Sequence, residues 1–235
     1  MSPAPTDTHG TLPAPVVARV GGGRTDRPLV VLLHGRGADE STVVALGEAL
    51  ETALPGRAEY AAVRAPLAEG AGFAWFANRG IGRPLPESLR STMDWFRTWA
   101  DQAGERPVVL VGFSGGAAFA GGLALDDPAR WTGLAVLLGT LPFDAGVTTE
   151  AGRLEGLPVL VAQGEEDRVI PAELLARTWE YLRGTSGART TSHRDAGGHL
   201  LTAGTVRALV GWLDEVLGQD VDGSRGATSA APAGS

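Results

Sequence analysis

Apolar residues run through the chain in short blocks at 14–20, Pro28–His34, 58–63, Pro107–Phe113, 132–138, Leu157–Gln163 and, more weakly, 188–193. Several blocks are continuous rather than alternating, the pattern of strands covered on both faces. Amphipathic segments of helix length lie between them, at about 41–54, 86–103, 115–126, 171–184 and 202–217. Asp39 or Ser41 can cap the first of these. Pro171 stands in a first turn, where a missing N–H costs nothing. Strand and helix alternate from residue 14 to 217, which predicts an α/β fold: a mostly parallel central sheet with helices on both faces. In such sheets chemistry sits just beyond the carboxyl ends of the strands.

The ends of the chain break this pattern. Residues 1–13 are rich in Pro and Thr, and residues 218–235 have no periodicity able to bury a face, so both are expected to be disordered tails around one domain at 14–217. The 235 residues carry 27 acids against 20 bases, all of them Arg, for a net charge of −7. That balance argues against a nucleic-acid partner. The absence of Cys excludes disulfides and a thiol nucleophile, and four His argue against a multi-histidine centre, so no metal is expected. The first ten residues lack the basic start and apolar core of a secretory signal, and no run approaches the ~18 apolar residues of a membrane span. A cytoplasmic location is expected. A homodimer is compatible with the chain, but nothing linear in the sequence specifies one.

The chemistry-bearing residues follow the strands. After the 107–111 run comes Gly112-Phe113-Ser114-Gly115-Gly116, a G-x-S-x-G pattern between a Val-rich strand and an Ala-rich helix. The strand must reverse sharply into the helix there, a strained turn that only small neighbours tolerate and that projects the serine hydroxyl from the top of the sheet. The plainer alternative is a tight Gly-rich turn whose serine caps the helix. A serine nucleophile needs a base to take its proton and an acid to orient that base. Among Glu165, Glu166 and Asp167, the run Gly164 to Pro171 favours Asp167 as the acid, with Glu165 or Glu166 as the alternative and Asp167 then only a helix cap. Gly197-Gly198-His199 offers a flexible loop before the last helix, which makes His199 the base. His193, at a strand end, reads as a surface histidine, and His9 lies in the N-terminal tail. The two oxyanion donors are expected to be the backbone amides of Gly115 and of Arg36, within Leu32-Leu33-His34-Gly35-Arg36-Gly37, with His34 buttressing that loop.

These four blocks, in this order, resemble the carboxylesterase/phospholipase family of α/β-hydrolases, which includes small serine esterases and acyl-protein thioesterases. The resemblance spans roughly residues 14–217. It implies an α/β-hydrolase fold without a large lid domain, no cofactor, and Ser114, Asp167 and His199 as nucleophile, acid and base. Gly72-Phe73-Ala74-Trp75-Phe76 is similar to the aromatic stretch that the family carries beside its acyl pocket. Two departures stand out: Gly115 where the family commonly has Gln after the nucleophile, and Ala77 where an Asp often follows the Trp-Phe pair.

Trp75 and Phe76 are therefore expected to line a substrate pocket, joined by Leu141 from the segment Gly139–Phe143. Residues 65–85 form a loop in this reading, and Trp95, Phe96 and Trp99 belong to a helix core. The expected activity is a serine hydrolase that cleaves small to medium carboxylic esters or thioesters through an acyl-enzyme. The alternatives are an acyltransferase or cyclase that passes the acyl group to a non-water acceptor, and a ligand-binding receptor on the same fold.

Overall fold

The computed structural model describes residues 12–22 and 25–226. The chain runs through β1 (Val17–Val20), β2 (Leu29–Leu33), α1 (Ser41–Ala53), β3 (Glu59–Val63), β4 (Leu67–Glu69) and β5 (Gly72–Ala74). There follow α2 (Pro86–Ala100), β6 (Val108–Phe113), α3 (Gly115–Asp126), β7 (Gly133–Leu137), β8 (Pro158–Gly164), α4 (Ala172–Glu180), β9 (Arg189–Asp195) and α5 (Ala203–Gly226). Helix α5 continues past residue 217, where the sequence pattern placed the domain's end. Residues 1–11, including His9, and 227–235 lie outside the described residues.

Among the described residues seven strands form one sheet in the order β1-β3-β2-β6-β7-β8-β9, parallel throughout except for the antiparallel edge pair β1–β3. The period of two sorts each central strand onto two cores. Leu29, Val31, Val108 and Leu110 face one side, with Leu89, Phe96 and Phe119 of α2 and α3. Val30, Leu32, Val109 and Val111 face the other, with Leu46 and Leu50 of α1 and Leu209 and Trp212 of α5. Because both faces are covered, the strands read as unbroken apolar runs. Helix α3 is buried from Gly116 to Leu125, so it has no polar stripe, and its glycines bring neighbours close: a Cβ at Gly121 would lie 2.4 Å from Leu141 Cδ2.

The segment 65–85, expected to be a loop, holds structure. β4 and β5 pair antiparallel as a small hairpin, and Ala38 bridges to Phe73. Three-residue strands are too short to show alternation, and the hairpin takes its position from an outside partner: Gly37 N–H donates to Phe73 O and Phe73 N–H to Ala38 O. Beyond it, residues 78–84 form a strap closed by an Asn78–Pro84 bridge.

Candidate active site

Ser114 stands at the turn from β6 into α3 with φ 54° and ψ −114°, a left-handed conformation that costs a non-glycine residue roughly 1–3 kcal/mol. The surroundings enforce it. A Cβ at Gly112 would lie 2.3 Å from Gly116 O, and one at Gly116 2.2 Å from Leu33 O, so both flanking positions exclude any side chain. Ser114 N–H donates to Leu137 O at 2.9 Å, fixing the turn to the neighbouring strand.

Two further loops converge on this hydroxyl. His199 Nε2 is 2.8 Å from Ser114 Oγ, and its Nδ1 is 2.8 Å from Asp167 Oδ2. An ionised carboxylate only accepts, so Nδ1 carries the ring proton and donates it to Asp167. Nε2 is then free to accept from the serine hydroxyl. The other Asp167 oxygen accepts the amides of Val169 (2.9 Å) and Ile170 (3.0 Å). Burial pushes this carboxyl up, but the hydrogen bonds from His199 and the two amides outweigh it and hold it below the ordinary carboxylate range. Phe113 packs on the imidazole with ring centroids 5.3 Å apart. The arrangement is that of an imidazole oriented from behind by a carboxylate and in contact with a strained alcohol.

The competing residues stand elsewhere. Glu165 and Glu166 are exposed, and their part in the site is through backbone, as their amides donate to Asp195 O and Gly197 O. His193 lies 3.4 Å from Asp195, away from Ser114. His34 is fully buried: Ala65 N–H donates to its Nε2 at 3.0 Å, so Nδ1 carries the proton to Gly35 O at 2.7 Å. It holds the loop that precedes Arg36. Burial, opposed by the Gly35 hydrogen bond, lowers its pKa.

The Arg36 amide faces the same turn, 3.1 Å from where a Gly115 Cβ would stand. Neither this amide nor that of Gly115 has an acceptor among the described residues. Two unsatisfied donors beside a serine hydroxyl can receive a developing oxyanion. The Arg36 guanidinium turns outward to Glu69 on β4, with Nε 2.6 Å from the carboxylate.

A cavity of about 620 Å³ opens over Ser114. Trp75 and Phe76 line it, with Trp75 also stacked on Phe119 at 4.6 Å. Leu141 does not line it. That side chain is fully buried over Gly121 of α3, and its neighbours Thr140 and Pro142 reach the cavity in its place. The backbone explains the exchange: Leu141 N–H is drawn 3.1 Å to Thr178 Oγ1 on α4, which turns the side chain inward. Ile81, Val169 and Leu200, which no motif marks in the sequence, also line the cavity. They are 47%, 48% and 56% exposed at the cavity rim, and the signal was a large apolar residue within a polar loop, one of them beside His199. Among the described residues no cluster of His, Cys, Asp or Glu could hold a metal ion, and no helix is long and apolar enough to cross a membrane.

A model of the phospholipase/carboxylesterase family matches residues 16–215. Comparison with curated protein sequences returns no match. Among solved structures, a carboxylesterase from Mesorhizobium loti is similar with 25% identity and a TM-score of 0.74, covering 90% of this chain and 98% of its own. The Bacillus cereus carboxylesterase is similar with 22% identity and a TM-score of 0.72 over 88% of this chain and 96% of its own. Arabidopsis thaliana SOBER1 shares the fold with 19% identity and a TM-score of 0.68, over 81% of this chain and 99% of its own. With an α/β-hydrolase sheet, a family match over nearly the whole described domain and a strained serine at the turn from β6 into α3, the chain is a hydrolase that belongs to the phospholipase/carboxylesterase family.

Proposed function

We propose that the protein hydrolyses carboxylic esters or thioesters of small to medium, uncharged acyl groups through an acyl-enzyme on Ser114. The observation that carries this reading is the unbroken line of hydrogen bonds from Ser114 Oγ through His199 to Asp167, at 2.8 Å each.

In the first half-reaction, the Ser114 hydroxyl proton passes to His199 Nε2 as Oγ bonds to the substrate carbonyl carbon. The carbonyl electron pair moves onto oxygen, where the amides of Arg36 and Gly115 receive it. Asp167 stabilises the imidazolium without taking its proton. The tetrahedral intermediate collapses as the carbon–oxygen or carbon–sulfur bond to the leaving group breaks, and His199 returns its proton to the departing alcohol or thiol. Water then repeats the sequence: its proton goes to His199, its oxygen to the acyl carbon, and the carboxylic acid leaves as Ser114 recovers its hydrogen.

The cavity supports an uncharged acyl group. No carboxylate lines it, and the arginine at its edge, Arg36, has its guanidinium engaged by Glu69. Apolar surface from Trp75, Phe76, Phe113 and Ile170 dominates its walls. The test is a panel of p-nitrophenyl esters and acyl thioesters run on wild type and Ser114→Ala. Turnover by wild type with a loss of several orders of magnitude in the variant is expected. Equal turnover by both proteins would refute the reading.

A further inference from the structure

His199 is delivered by a loop that must leave β9 at Asp195 and enter α5 at Ala203, and one side chain spans that loop from inside. Asp195 Oδ1 accepts the Gly197 amide at 2.9 Å. Its Oδ2 accepts the Thr202 hydroxyl and the Thr205 hydroxyl, the latter at 3.2 Å, and faces His193 Nε2 at 3.4 Å. Thr202 caps α5: its Oγ1 accepts the Thr205 amide at 3.1 Å, which leaves the hydroxyl hydrogen for Asp195. The loop is closed so tightly that a Cβ at Gly197 would lie 2.7 Å from Thr202 Cγ2 and 2.8 Å from Asp195 Oδ1.

The backbone around the same residue grips the acid loop. Asp195 O accepts the Glu165 amide at 2.8 Å, and Gly197 O accepts the Glu166 amide at 3.0 Å. A Cβ at Gly164 would come within 2.2 Å of Gly197 O, so the two loops meet backbone to backbone. The loops that present Asp167 and His199 are thus joined at Asp195. Its carbonyl holds one, and its carboxylate ties the two ends of the other.

We infer that Asp195 is a positioning residue for the reaction, setting where the His199 imidazole stands between Asp167 and Ser114 by bracing the loop across Gly197, Thr202 and Thr205. Asp195 touches no reacting atom. Its effect passes through the loop, and it rests on the reading of His199 as the base of an acyl-transfer site. Displacing a reacting group by about 1 Å costs on the order of 100-fold in rate, so a brace of this kind should act on turnover rather than on substrate affinity.

The test compares full-length wild type with Asp195→Ala and Asp195→Asn. Three quantities are measured: kcat and KM on p-nitrophenyl butyrate, the low-field proton resonance of His199 Nδ1–H, and the thermal midpoint. Asp195→Ala should lower kcat by about 10- to 100-fold with KM changed less than about threefold, and should broaden or abolish the resonance. Asp195→Asn keeps one acceptor for the Gly197 amide but loses the acceptor facing the threonine hydroxyls, so its kcat should fall between the two, and it decides the matter if the alanine variant does not fold. Wild-type kcat and an intact resonance in the asparagine variant, or a kcat that falls only in step with the unfolded fraction, would overturn the inference. If wild type hydrolyses no ester, the proposed function fails, while the resonance still reports whether Asp195 positions the ring.

Discussion

Trp75 donates from its indole Nε1 to the backbone carbonyl of His34 at 2.8 Å, which joins a wall of the cavity to the loop that presents the Arg36 amide. His34 completes the joint through Ala65 and Gly35, and its ring lies 5.2 Å from the Trp75 ring. Trp75→Phe removes the donor, keeps most of the packing and leaves a buried carbonyl unsatisfied, at a cost of roughly 1–3 kcal/mol. We expect a lower denaturant midpoint and a kcat about tenfold below wild type on a short-chain ester, since a loosened Arg36 loop weakens oxyanion binding. Unchanged kcat would separate the aromatic wall from the oxyanion loop.

His34 gives stability a pH dependence. Its folded pKa lies below the ordinary ~6.5 because burial disfavours the charged ring. In the window between the lowered folded value and ~6.5, the unfolded chain binds the proton and the folded one does not. The His34 contribution is therefore fully present above pH ~6.5 and is lost as pH falls through that window. Asp167 acts lower on the scale: its depressed pKa contributes stability present above ~3.9 and lost as pH falls through its folded value. Denaturant midpoints measured from pH 7.5 to 5 should decline in wild type and decline less in His34→Gln. Parallel curves would contradict the assignment.

The strain at Ser114 predicts a reversal of the usual glycine penalty. At an ordinary helical site Gly is roughly 1 kcal/mol less stable than Ala. At φ 54° and ψ −114° alanine retains the steric strain, whereas glycine relieves it. Ser114→Gly should therefore be at least as stable as Ser114→Ala in urea titration, with both inactive. An alanine variant more stable by about 1 kcal/mol would show the turn to be unstrained.

Much of this architecture was legible beforehand. Among the described residues the strands and helices appear near the segments the sequence pattern marks; the central strands β2, β3, β6, β7 and β8 stand out because burial on both faces leaves little room for polar residues, whereas the edge strand β9, exposed along much of its length, is marked only weakly. The convergence of Ser114, Asp167 and His199 was legible for another reason: each follows its own strand, and parallel strands end at one edge. The hairpin β4–β5 was not, since three residues per strand carry no period and their register comes from Ala38 and Gly37. Leu141 was misplaced because loop direction depends on a distant hydroxyl, Thr178. Asp195 went unnoticed because an aspartate at a strand end looks like a surface residue until Thr202 and Thr205 come round to meet it.

The rim of the cavity makes a prediction about substrate length. Ile81, Val169 and Leu200 leave apolar surface in water at the mouth, which an acyl chain reaching beyond the cavity would cover. Each buried methylene contributes about 0.8 kcal/mol, or roughly fourfold in kcat/KM. Wild-type kcat/KM should rise with acyl length from acetate towards longer esters. Leu200→Ser should lose most on the longest esters and little on acetate. A uniform loss across the series would place Leu200 in support of His199 rather than in contact with the acyl chain.

In the proposed reaction Ser114 is activated by His199, and covalent labelling tests that directly. The full chain is reacted with a fluorophosphonate, and the modified residue is located by peptide mass spectrometry in wild type and in His199→Ala. A single adduct on Ser114, formed orders of magnitude more slowly without the imidazole, is the expected result. An unmodified Ser114 in wild type, or the same labelling rate in His199→Ala, would contradict the central claim.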